Sequence, residues 1–131
     1  MSKKAVQAYL ETALWSSTGD DDEPLDNEYS IADFSKSALR QAKLEVEIFL
    51  AQTEESVSVF EDMAEENGVQ LNFDDTDIGH DFWLTRNGHG AGFWDKPEKY
   101  GGRLAEMLSD MARRAGETDV YVGDDDLLYF S

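Results

Sequence analysis

Residues 81–95 read DFWLTRNGHGAGFWD, from Asp81 to Asp95, and the conformation of this stretch decides how the rest of the chain is arranged. Two aromatic pairs, Phe82/Trp83 and Phe93/Trp94, flank a centre that contains Asn87-Gly88 and further glycines at 90 and 92. Asn and Gly accept the positive φ of tight turns, so two short strands joined by a hairpin turn are expected. Successive side chains on a strand point to opposite faces, so one member of each pair faces the core and the other stays partly exposed or lies under a helix. Trp83 and Trp94 are thereby the candidate aromatic contacts for a partner, weighed against plain core packing for both. A nucleobase-stacking platform is disfavoured because it needs a positive groove for the backbone. Arg86 stands alone as a base in a long acidic context, and an ion pair across the ribbon to Asp81 or Asp95 is expected for it.

Working outward, the downstream text Lys96–Tyr100 is a loop with Pro97, and Gly101-Gly102 releases the chain into a helix over about 103–115. Leu104, Met107, Leu108, Met111 and Ala112 form its apolar stripe, and Arg113 and Arg114 lie where the helix dipole favours cations. Asp119–Val122 and Leu127–Phe130 read as two strands joined by Gly123–Asp126. Upstream, Val69, Leu71 and Phe73 alternate with Gln70 and Asn72, which suggests a short strand before the acidic turn Asp74–Asp77. A first helix over about 3–15 follows from the spacing of Val6, Tyr9, Leu10, Ala13 and Leu14. Ser30 and Asp33 open the next helical region as a near capping box, and a single apolar stripe runs from Phe34 to Ala64 until Asn67-Gly68 stops it. The region reads as one long helix or as two, with a break or bend favoured near 52–56, where helix propensity weakens. The fold class is α+β, one domain over 1–131: N-terminal helices packed with a small antiparallel sheet, and one amphipathic helix between hairpins.

Charge bounds the function more tightly than any motif. The chain has 131 residues with 29 Asp plus Glu against 11 Lys plus Arg, a formal −18. Such a field repels nucleic acid and anionic lipid, so direct nucleic-acid binding and membrane association are both disfavoured, and a basic nucleic-acid-binding protein is the expected partner. Cysteine is absent, which removes disulfides, thiolate metal sites and a cysteine nucleophile. The N-terminal text lacks a signal-like apolar core, and a cytoplasmic location in a host cell is expected. A homodimer is left open.

The acids are not evenly mixed with bases. Between Leu44 and Thr85 there are twelve acids and no Lys or Arg. A helix face serving only solubility intersperses signs and gains Glu-to-Lys pairs one turn apart. Glu47, Glu54 and Glu61 recur every seven residues, as do Glu55 and Asp62, so they fall near one stripe at intervals of about 10 Å. With Glu65 and Glu66 they form a dense negative ridge, the principal candidate partner-binding surface. Asp20, Asp21, Asp22 and Glu23, in an acidic loop spanning 16–29, form a secondary patch. That loop imitates a calcium loop only superficially, because the Gly at position six and Glu at position twelve are missing.

His80 and His89 flank the first expected strand with Asp81 and Asp95, a set that in principle serves metal binding or acid-base chemistry. Their spacing lacks the tight pattern of a helical His pair, so a structural or interface role is expected, with no catalytic residue, metal or cofactor assigned. The run Asn87–Gly92 lacks a following Gly-Lys-Ser/Thr and is no phosphate loop.

DFWLTRNGHGAGFWD, followed by GGRLAEMLSDMARRAG and DVYVGDDDLLYF, resembles a family of small acidic proteins encoded by bacteriophages and mobile elements. The resemblance covers about 77–130, carries no catalytic residue onto this chain, and implies a phage-associated context. The composition is also similar to that of phage proteins that imitate the phosphate surface of DNA and block host restriction, recombination, repair or CRISPR machinery. The leading expectation is therefore a non-enzymatic inhibitor that occupies the nucleic-acid cleft of a host protein. The alternatives are a phage structural or accessory module binding through the aromatic stretch, and a small enzyme using the two histidines.

Overall fold

A computed structural model of the chain describes residues 3–18, 22–89 and 91–131. Five α-helices are followed by a two-stranded antiparallel sheet: α1 (Lys3–Ser16), α2 (Lys36–Glu66), α3 (Asp75–Arg86), α4 (Pro97–Tyr100), α5 (Gly102–Arg114), β1 (Val120–Val122) and β2 (Leu128–Phe130). Short 3-10 turns at Leu25–Asn27, Ile31–Asp33 and Phe93–Asp95 complete the described elements. The α+β class holds, and the C-terminal strands pair in the register Val120↔Phe130 and Val122↔Leu128. No helix among the described residues is long and apolar enough to cross a membrane.

The expected hairpin at 81–95 does not form. Its first half is the body of α3, and its second half is the turn Phe93–Asp95. Helix α3 starts upstream, in the segment expected to be an acidic turn. Asp74 Oδ1 accepts from Asp77 N at 3.1 Å while Asp77 Oδ2 accepts from Asp74 N at 3.0 Å, a reciprocal cap that also sets two acids against the positive helix end. Asn87-Gly88 then acts as a helix stop. Gly88 adopts φ 68°, its N–H bonds Thr85 O, and His89 N bonds Leu84 O, the paired hydrogen bonds of a Schellman ending.

Helix α3 lies in the middle of the core, so residues 81–86 are buried on every side. The Phe82 ring stacks on Phe49 at 4.2 Å and Trp83 meets Tyr9 edge-on at 5.2 Å. Its first turns cross α1 at the smallest side chains available. A Cβ built on Gly79 would run into the Ala5 carbonyl, so the two helices approach closely only because Gly79 has none. Gly79→Ala should cost about 2 kcal/mol through forced separation of the helices. Urea denaturation of the variant measures it, and an unchanged midpoint would show that the crossing has slack.

Helix α2 is uninterrupted for 31 residues, where a break was expected near 52–56. Thr53 lies inside that segment and is buried, and its Oγ1 donates to Phe49 O at 2.9 Å. The weak propensity of a few residues, tenths of a kcal/mol each, is outweighed by a continuous apolar stripe through Ala38, Ala42, Val46, Phe49 and Thr53. The helix is capped by Ser35, whose Oγ accepts from Ala38 N. Ser30 and Asp33 cap only the preceding 3-10 turn. Residues 69–73, expected as a short strand or extended edge, belong to no helix or strand among the described residues. Leu71 and Phe73 tuck against the core, and Asn72 N bonds Lys99 O.

Candidate protein-binding surface

Along α2 the buried stripe leaves the opposite side to solvent. At 3.6 residues per turn, Glu47, Glu54, Glu55, Glu61, Asp62, Glu65 and Glu66 fall within an arc of about 140° centred roughly opposite that stripe. Glu47 is half-buried and the other six are exposed. None of the seven takes part in an ion pair or side-chain hydrogen bond among the described residues. From Glu47 to Glu66 the row spans about 28 Å. These carboxylates thus lie along one continuous helix.

Its position on the helix is costly. Glu65 and Glu66 occupy the last turn, the negative pole of the macrodipole, where carboxylates are disfavoured by about 0.3–1 kcal/mol each. Lys36 occupies the first turn, where a cation is disfavoured in turn. Glu61/Glu65 and Asp62/Glu66 are like-charge pairs one turn apart. Neither capping nor pairing accounts for this order of charges.

Of the secondary patch, Asp22 and Glu23 are exposed, and Glu23 accepts from Asn27 Nδ2. Asp20 and Asp21 lie outside the described residues. Trp83 is no surface contact. It is 2 % exposed, and its Nε1 donates to Ser16 Oγ at 2.8 Å, because α3 rather than a ribbon carries it. Trp94 is 48 % exposed, on the turn Phe93–Asp95. The sequence reading missed Trp15, exposed at the end of α1 with its ring 5.8 Å from His80, and the exposed apolar residues Leu44, Ile48, Val59 and Met63 on α2. Those four follow each other at helical spacing beside the ridge, but a search for the main buried stripe passes over them.

Arg86 pairs with neither Asp81 nor Asp95. Its Nη1 donates to Glu45 Oε2 and to Tyr9 Oη, both at 2.9 Å, and its Nε and Nη2 cap the carbonyls of Gly116 and Ala115. One guanidinium therefore ties α3 to α1, α2 and the end of α5, satisfying carbonyls that α5 leaves unbonded.

Asp81 is fully buried and accepts from Lys96 Nζ at 2.6 Å, Tyr100 Oη at 2.6 Å and the His80 ring at Nδ1, 2.9 Å away. Burial alone would raise its pKa, but these three hydrogen bonds hold the carboxyl below the usual range. Burial and the facing carboxylate push the Tyr100 hydroxyl far up, so it remains a donor. His80 sits within α3 while His89 lies beyond its C-terminal cap. His80 has its ring on Asp81, whereas the His89 N–H bonds Leu84 O at the helix end. Among the described residues no group of three His, Asp or Glu side chains is arranged to hold a metal ion.

Burial would raise the pKa of both Asp81 and Asp77, but hydrogen bonds from His80, Lys96 and Tyr100 to the first, and from Lys99 and the Asp74 backbone to the second, hold both carboxyls below the usual range. Both therefore stabilise the fold above the unfolded carboxylate value of about 3.9, and that contribution is lost as pH falls through their lowered folded values. Denaturant midpoints should drop below about pH 4, and a midpoint unchanged at about pH 3 would remove these two groups from the account.

No family model, curated protein or solved structure matches this chain.

Proposed function

We propose that the chain is a nucleic-acid-mimicking inhibitor that occupies the DNA- or RNA-binding cleft of a basic host protein, in the phage context its sequence resemblance implies. One observation carries this reading: unpaired carboxylates gather along the solvent face of a single long helix and continue to the end where they weaken it. Glu54, Glu55, Glu61, Asp62, Glu65 and Glu66 stand in for phosphates against Lys and Arg of the target. Glu47 extends the row, and Asp22 and Glu23 supply a second acidic patch. Binding is then competitive with nucleic acid, steeply weakened by salt, and fast through electrostatic steering. The test is affinity capture from host lysate at low salt, repeated at high salt and with duplex DNA as competitor. A nucleic-acid-binding protein released by both treatments is the expected result. Capture indifferent to both overturns the reading.

Exposed Trp94 favours a second reading, an accessory module that binds another protein through this aromatic while the acids maintain solubility. Trp94→Ala separates the two, since it leaves the salt-sensitive interaction intact in the first and removes binding in the second.

A further inference from the structure

The acidic side of α2 is not uniformly polar. Between α2 and the first turn of α3 runs an open groove with Leu50, Val57 and Ile78 along its floor. Glu47, Glu54 and Glu61 line its α2 wall, and Asp75 stands across from them. A surface that only replaces phosphates has no use for an apolar floor, because phosphate-binding clefts offer hydrogen-bond donors and charge. Apolar floor and anionic wall together match the two faces of one kind of ligand.

We infer that the partner element seated here is a cationic amphipathic α-helix. The inference rests on the proposed function and names what part of the target meets this face. Carboxylates at seven-residue intervals, about 10 Å apart, meet Lys or Arg repeated at the same interval on a helix laid alongside α2. Apolar side chains one turn from each cation fall onto Leu50, Val57 and Ile78. The aliphatic stems of the cations cover the groove edge while their heads reach Glu47, Glu54 and Glu61. Charge also limits the length of the contact. At Glu47 the groove gives way to a neighbouring cleft lined by Lys3 and Lys43, so the partner's cationic run spans about 21 Å, from Glu47 to Glu61. A second copy of this chain would bring a −18 surface against the same carboxylates, which opposes self-association through this face.

The test uses two synthetic helical peptides of about 20 residues with identical composition and helicity. One carries lysines at seven-residue intervals with leucines on the same face. In the other the leucines are rotated to the opposite face. Calorimetric titration of the full chain should show the first binding about tenfold more tightly. In the double variant Ala51→Gln, Ser58→Gln, which fills the groove wall with neutral side chains at exposed positions, that preference should vanish while salt-sensitive binding of both peptides persists. Equal affinity of the two peptides for the unmodified chain overturns the inference and leaves phosphate mimicry standing. A preference retained in the filled-groove variant, or a dimer in sedimentation that excludes both peptides, overturns it too. Failure of either peptide to bind at low salt counts against the proposed function itself.

Discussion

A variant carrying Glu54→Gln, Glu55→Gln, Glu61→Gln and Asp62→Asn is expected to lose its partner and yet to melt at a higher temperature than the parent chain. All four carboxylates are exposed, and none forms an ion pair among the described residues, so their removal breaks no internal contact. It abolishes the Glu61/Glu65 and Asp62/Glu66 repulsions and lightens the negative end of α2, a gain of roughly 1 kcal/mol in all. Against a cationic cleft the same four changes should weaken binding by at least about hundredfold, mostly by ending charge-guided association and the contacts it leads to. The two readouts must move in opposite directions. A partner held with undiminished affinity ends the mimicry reading, and a lowered melting temperature would show the carboxylates to be structural.

Asp81→Asn is expected to act in the other way, destabilising the fold by about 3 kcal/mol without touching the ridge. The substitution strands the Lys96 ammonium beside a neutral buried amide and leaves Tyr100 and His80 competing for one acceptor. Because the loss arises from an uncompensated charge, the double variant Asp81→Asn, Lys96→Met should recover part of it. Urea denaturation of the three proteins reads the coupling directly. A cost for the single variant below about 0.5 kcal/mol would mean that the cluster decorates the core rather than organising it.

The two Asn-Gly pairs show how far local text could be read. Asn67-Gly68 and Asn87-Gly88 end α2 and α3 by the same pair of backbone hydrogen bonds, with the glycine at positive φ in each. The first was legible because an amphipathic stripe leads up to it. The second was not, because α3 is enclosed on all sides over 81–86 and its apolar residues show no helical period. The signal that was present lay at the other end, in the reciprocal cap of Asp74 and Asp77 with Arg86 one residue before the stop. Trp83 packs in the core, the plain reading weighed for it, but on a helix rather than a strand, whereas Trp94 is exposed at the surface.

The sequence by itself determined the helices whose faces contrast, α1, the stripe of α2 and α5, the terminal strand pair, and the clustering of carboxylates over 45–66. Each depends on periodicity or net charge, which are properties of neighbours along the chain. Tertiary structure alone decided that residues 81–86 are helical, that Arg86 binds Glu45 and the end of α5, and that Asp81 gathers Lys96, Tyr100 and His80. It also decided that α2 stays unbroken, which makes the carboxylates one continuous surface. A buried helix and a buried ion pair are selected by partners distant in the chain, whose desolvation must be matched group by group, and nothing in a local window records which partner will arrive.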